Sequence, residues 1–276
     1  MNYIEKINKA IQIIERLDKS KGYYYEQILF ELSRIEKLPI IIYRLESNEL
    51  FFRTRINNGN DFEKIAELSY PDEKYVSAYA RANKPLQQMF YCSENRPTSY
   101  IELLNNRDGN VGDEITLTIG CWQLVEPVNV VLVFNPLKTR DNKYNQMHGQ
   151  GYDSFIEQTD EEYKEGTNRL FEFIGSYFDK PANGEKQTYM LTTAYSNLVF
   201  THDQVEGIIY PSVPFGGNGF NVAFFPKIAN DNRLRLLDVM KSVMKIELTA
   251  DGHFNFVEQS ATKGIIDYGS GAIKWA

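Results

Sequence analysis

The sequence predicts an α+β fold for a chain of 276 residues. Three observations carry that expectation. Apolar residues recur at helical spacing over residues 3–37. Short β-rich runs follow at 39–56, 88–93 and 114–134. Two long helical stretches, 160–178 and 186–201, precede a C-terminal third that returns to β structure.

Ile4, Ile7, Ile11 and Ile14 form one apolar stripe, which predicts a helix over 3–18. Gly22 breaks it, and Tyr24, Ile28, Leu32 and Ile35 repeat the pattern over 24–37. Pro39 ends the second helix, because its ring disfavours α geometry at Leu38. These two antiparallel helices define an N-terminal helical extension, residues 1–45, before a main domain over 46–276. PIIIYRL (39–45) and ELFFRTRI (49–56) read as strands, with Arg53 and Arg55 alternating onto one face. NNGND (57–61) is a loop, and 62–68 a short helix. Residues 88–93 read as a strand. Thr98 then caps a helix over 99–105 that carries Glu102 in its first turns. Glu126-Pro127 separates strands at 114–125 and 128–134, and VNVVLVF is apolar enough to be buried on both faces. Residues 135–151 are polar and loop-like. The helix over 160–178 ends at Pro181-Ala-Asn-Gly184, and the helix over 186–201 leads to strands at 207–211 and 219–225. Asp251-Gly252 marks a hairpin between 233–248 and 253–258.

Composition narrows the function classes. A formal charge of −7 is a poor match to sequence-independent nucleic-acid binding, which needs clustered cations. Cys92 and Cys121 are the only cysteines, too few for a disulfide framework, and they point to a reducing compartment. The sequence has neither a signal-peptide core nor an apolar run of membrane-spanning length. The expectation is a cytoplasmic protein without a membrane partner. His148, His202 and His253 are scattered, with no second ligand at metal spacing, so no metal site is expected.

The chemistry-bearing residues lie mostly in residues 77–102. Arg81, Tyr91 and Glu102 are spaced by 10 and then 11 residues, and GIIYPSV adds Ser212. Each has a plain structural reading: a surface cation, a core ring, a dipole-favoured helix carboxylate and a turn hydroxyl. As a set, they suit a phosphorylated, positively charged ligand such as a nicotinamide dinucleotide. Breaking the nicotinamide–ribose bond releases a neutral base and leaves oxocarbenium character on the ribose. That needs a cation for the pyrophosphate, a ring beside the nicotinamide ribose, and a carboxylate or hydroxyl near the anomeric carbon. It needs no metal.

ARANKPLQQMFYCSENRPTSYIE resembles the central signature of the RES-domain family, named for its Arg, Glu and Ser. The family pattern runs from an Arg-x-Asn turn through a strand ending in Tyr to a helix bearing Glu. GIIYPSV followed by GGNGFNVAFF resembles its closing segment, and ELFFRTR its opening strand, with Arg53 at the matching Arg. The likeness spans roughly residues 50–226. It implies a fold similar to the diphtheria-toxin type of ADP-ribosyltransferase, with mixed and antiparallel sheets and flanking helices. It also implies an NAD+-consuming toxin of a bacterial toxin–antitoxin pair, acting by phosphorolysis or hydrolysis, or by ADP-ribose transfer to a macromolecule. A catalytically silent NAD-binding module is the alternative of another class. The implied partner is a helix-turn-helix antitoxin. By the same resemblance, Arg81 would hold NAD phosphate and Arg53 would be a second phosphate ligand. Tyr91 would line the nicotinamide-ribose pocket, Glu102 would act at the ribose, and Ser212 would hydrogen-bond the ligand. The family turn is often Gly-Arg-Trp-Asn, whereas this chain has Ala80-Arg81-Ala82-Asn83 and a long insertion between Glu102 and Ser212.

Overall fold

A computed structural model describes residues 1–104, 110–181, 186–248 and 254–275. The protein is α+β. Helices α1 (Tyr3–Arg16) and α2 (Tyr24–Ser33) open the chain, followed by strands β1 (Ile42–Leu45) and β2 (Leu50–Ile56). A short 3-10 turn at Ile65–Leu68 precedes β3 (Phe90–Ser93) and α3 (Arg96–Leu104). Next come β4 (Glu114–Leu124), β5 (Val128–Leu132), α4 (Lys143–Gln158), α5 (Glu161–Phe178) and α6 (Lys186–Val199). The chain closes with β6 (Gly207–Pro211), β7 (Phe220–Phe224), α7 (Pro226–Asn230), β8 (Leu234–Leu248), β9 (Phe254–Asp267) and β10 (Ala272–Trp275).

The strands form one sheet in the order β1-β5-β6-β7-β3-β2-β4-β8-β9-β10. Among the described residues, β5 and β6 are the one parallel pair. β5 is sandwiched, as its nearly all-apolar run predicts. Val131 and Val133 face a core built with α1, α2, α5 and α6, while Val130 and Leu132 face a second core that includes Tyr144 and Tyr152 of α4. α1 packs on α5 and α2 on α6, so the N-terminal helices share the first core with residues far along the chain. A capping box at Asn2 and Glu5 fixes the start of α1.

One feature of the sheet positions the site. β2 pairs with β4 along its whole length, from Leu50↔Gln123 to Ile56↔Leu117, but meets β3 at the single position Phe52↔Ser93. The two strands part from this crossing, and α3 packs over β2, β3 and β7 there.

The structure corrects several local expectations. Residues 143–151, expected as part of a loop, instead open helix α4, which runs to Gln158. Tyr144, His148 and Tyr152 are its buried face at four-residue spacing, but the polar residues between them and Gly149 and Gly151 mask that period in sequence. Asn142 caps the helix, its side chain accepting from the Asn145 N–H at 2.9 Å. α3 begins at Arg96, and Asn95 is its cap. Thr98 lies inside the helix, donating its N–H to Asn95 Oδ1 at 2.8 Å. α2 stops at Ser33, well before Pro39. β9 runs on to Asp267, and β10 adds an edge strand that the sequence reading did not contain. The turn at Asp251-Gly252 and most of Pro181–Gly184 lie outside the described residues.

Candidate functional site

A cleft of about 360 Å³ opens where β2 and β3 part. Arg53, Arg81, Tyr91 and Glu102 all line it, although 49 residues separate the first from the last. Ser212 lies behind this wall, fully buried beside Glu102.

The Ala80–Asn83 turn sets the position of Arg81. The turn closes with an Ala80 N–H to Asn83 carbonyl bond of 2.9 Å. Tyr91 braces it from β3: its hydroxyl accepts from the Ala82 N–H at 3.0 Å and donates to Asn83 Oδ1 at 2.6 Å. The Thr193 hydroxyl donates to the Ala80 carbonyl at 2.7 Å. Arg81 then reaches the C-terminal end of α5, donating to the Tyr177 carbonyl at 2.9 Å and to the Lys180 carbonyl. Its guanidinium stands 5.2 Å from the ring centroid of Tyr189 on α6. Tyr91 therefore lines the cleft with its ring while its hydroxyl serves the turn. Burial pushes that hydroxyl's pKa far up, so it stays protonated.

Arg53 enters from β2. Its Nε donates to the Ser69 carbonyl at 3.1 Å and its Nη1 to the Tyr91 carbonyl at 2.6 Å. The Phe90 ring lies 5.3 Å from it. Burial, with Arg55 nearby, lowers its pKa to about 10, so it remains cationic at neutral pH. Neither Arg53 nor Arg81 has a carboxylate within 4.0 Å among the described residues. Both guanidinium groups are half-buried without a counter-ion, and a ligand anion would supply one.

Glu102 projects from the second turn of α3. Burial raises its pKa, opposed by the hydroxyl of Ser212, the amide of Asn221 and the charge of Arg81. The Asn221 amide donates to Glu102 Oε1 at 2.7 Å, and the Ser93 hydroxyl bonds Asn221 Oδ1 at 2.6 Å. Ser212 acts on the same carboxyl, yet its Oγ has no hydrogen bond of normal geometry with the described residues. Asn221 is thus the well-formed donor.

Ser212 is held by the β6–β7 connection. Its N–H donates to the Gly219 carbonyl and its carbonyl accepts from the Gly217 N–H, both at 2.8 Å. Gly216 and Gly217 adopt φ of +60° and +76°, the region that favours glycine. A Cβ on Gly219 would sit 2.2 Å from Thr98 Oγ1, so only glycine lets this connection lie against α3.

No protein-family model matches the chain, and no curated protein matches it significantly. What the site can do rests on its own geometry and on the resemblance in its sequence.

Reading the sequence missed Asn221, Ser93, Tyr189 and Tyr210, all of which line the cleft. Asn221 left one signal, an amide inside the apolar run FNVAFF. Tyr189 left none, since α6 reaches the cleft only through tertiary packing. Cys92 turns away from Tyr91, as strand alternation predicts, into the second core. His148 is buried among Tyr43, Tyr144 and Phe220, and burial lowers its pKa to about 4. Among the described residues, no three His, Cys, Asp or Glu side chains gather as a metal site, and no helix is long and apolar enough to cross a membrane.

Proposed function

We propose that this protein is a cytoplasmic enzyme that binds NAD+ as substrate and cleaves its nicotinamide–ribose bond. The observation that carries this reading is the convergence of two guanidinium groups without carboxylate partners and one buried carboxyl on a single cleft. Arg53 and Arg81 meet the pyrophosphate. The rings of Tyr91, Tyr189 and Tyr210 flank the nicotinamide ribose. Glu102, oriented by Asn221, faces the anomeric centre. The positive charge on bound nicotinamide favours the ionised carboxylate, offsetting the burial that raises its pKa. The carboxylate then stabilises the developing oxocarbenium character as nicotinamide leaves with the bonding pair. Water or phosphate takes the ADP-ribosyl group.

The resemblance to RES-domain proteins supports the same reading, and with it a role as the toxin of a toxin–antitoxin pair held by a helix-turn-helix antitoxin. The test is release of free nicotinamide from NAD+ by the pure protein, with and without phosphate, beside Glu102→Ala. Release that vanishes in the variant is expected. Release only when cell extract is added would favour transfer to a macromolecule. Saturable binding without release would leave a silent NAD-binding module. Unchanged release in Glu102→Ala would remove Glu102 from the mechanism.

A further inference from the structure

A second, larger cavity of about 710 Å³ lies behind the 3-10 turn at Ile65–Leu68, between that turn, α7, β8 and the β9–β10 connection. In a chain of net charge −7, none of its lining residues is Asp or Glu. It presents two cations, Lys64 and Arg235, which make no ion pair among the described residues. It also presents three aromatic side chains, Tyr70, Trp122 and Tyr268. The Arg235 guanidinium stands 4.5 Å from the Tyr268 ring centroid. Trp122 is 3% exposed, and its indole Nε1 is a buried donor with no acceptor among the described residues. That N–H is closed off from the cavity and lies against Gly120, where a Cβ would come within 2.8 Å of it, so Trp122 contributes ring surface rather than a donor to the wall. The Tyr70 hydroxyl lies 2.6 Å from Asn230 Oδ1, which leaves the Asn230 NH₂ as a donor.

Donors and cations without carboxylates select a negative group, and flat rings select a flat ligand. We infer that this cavity is a second ligand site, separate from the NAD+ cleft, for a small planar aromatic anion. The ring lies among Tyr70, Trp122 and Tyr268, and the anionic group meets Lys64 and Arg235. A nucleoside monophosphate and an aromatic carboxylate share this chemistry. The site does not depend on the reaction assigned to the first cleft.

The experiment is calorimetric titration of the full chain with adenosine monophosphate in one arm and 2-naphthoate in the other, each up to millimolar concentration. The variants are Arg235→Glu, Lys64→Glu and Arg81→Ala. Lys64 and Arg235 are exposed, so their variants should fold. Saturable binding of at least one probe is expected, weakened about tenfold or more by either charge reversal and unchanged in Arg81→Ala. The arm that binds tells which anion the site takes. In a Trp275→Phe background, which leaves Trp122 as the sole indole, the bound probe should also change Trp122 emission. No binding of either probe would overturn the inference. So would binding that Arg81→Ala abolishes while Arg235→Glu leaves it intact, since that ligand would belong to the first cleft.

Discussion

The side-chain amide of Asn221 donates to Glu102 Oε1 across 2.7 Å, and the hydroxyl of Ser93, in contact with Asn221 Oδ1, fixes which way that amide faces. Three neighbouring elements, β3, β7 and α3, thereby orient one carboxyl. Asn221→Asp would replace the donor with a like charge beside Glu102. The Glu102 pKa should then rise further, moving the acidic limb of the nicotinamide-release profile upward by about one pH unit or more. Carboxyl carbon NMR of the labelled protein checks the same shift without turnover. An unmoved titration would deny Asn221 its orienting role.

The raised pKa of Glu102 also predicts how stability depends on pH. Between the unfolded and the higher folded pKa, the native state holds more protons than the unfolded chain, so stability falls as pH rises through that window. Glu102→Gln keeps an acceptor for Asn221 but cannot ionise. Its melting temperature should exceed that of the wild type at neutral pH, and the difference should vanish below the ordinary glutamate range. Calorimetry at both pH values tests this, and equal melting temperatures at neutral pH would contradict it.

Arg53 and Arg81 should separate by their second roles. Arg81 satisfies the Tyr177 and Lys180 carbonyls at the end of α5, so Arg81→Ala should lower both melting temperature and NAD+ affinity. Loss of binding on the order of 2–4 kcal/mol is expected if the phosphate contact is buried. Arg53 relieves no helix end: it donates to the Ser69 and Tyr91 carbonyls, and the desolvation that lowers its pKa offsets part of what those bonds contribute. Arg53→Met should therefore weaken NAD+ binding by a comparable amount with a smaller loss of stability. Titration of NAD+ into both variants, beside their thermal unfolding, would show equal stability losses if this distinction is wrong.

Gly219 lets the Ser212-bearing connection lie on α3. Gly219→Ala would drive a methyl into Thr98, destabilising the fold by roughly 1–3 kcal/mol. Thr98→Ala removes both the obstructing atoms and a buried hydroxyl that has no partner, so it should cost little alone and recover part of the loss in the double variant. Additive losses in denaturant unfolding would mean the two residues do not oppose each other.

The sequence by itself determined the α+β class, the doubly buried strand at Val128–Leu132, the helices at both ends of the chain's first two-thirds, and the turn–strand–helix run that carries Arg81, Tyr91 and Glu102. These are local matters: period, turn residues and apolar runs act within a few residues, so a linear reading captures them. Helix α4 escaped because its buried face is thin and its glycines resemble a loop. Tertiary structure alone decided that β2 and β3 part after one paired position, that Tyr91 spends its hydroxyl on the Arg81 turn, and that Asn221 bonds Glu102 from 119 residues away. Contacts between distant segments depend on how sheet register and helix packing are satisfied together, and no spacing along the chain records that outcome.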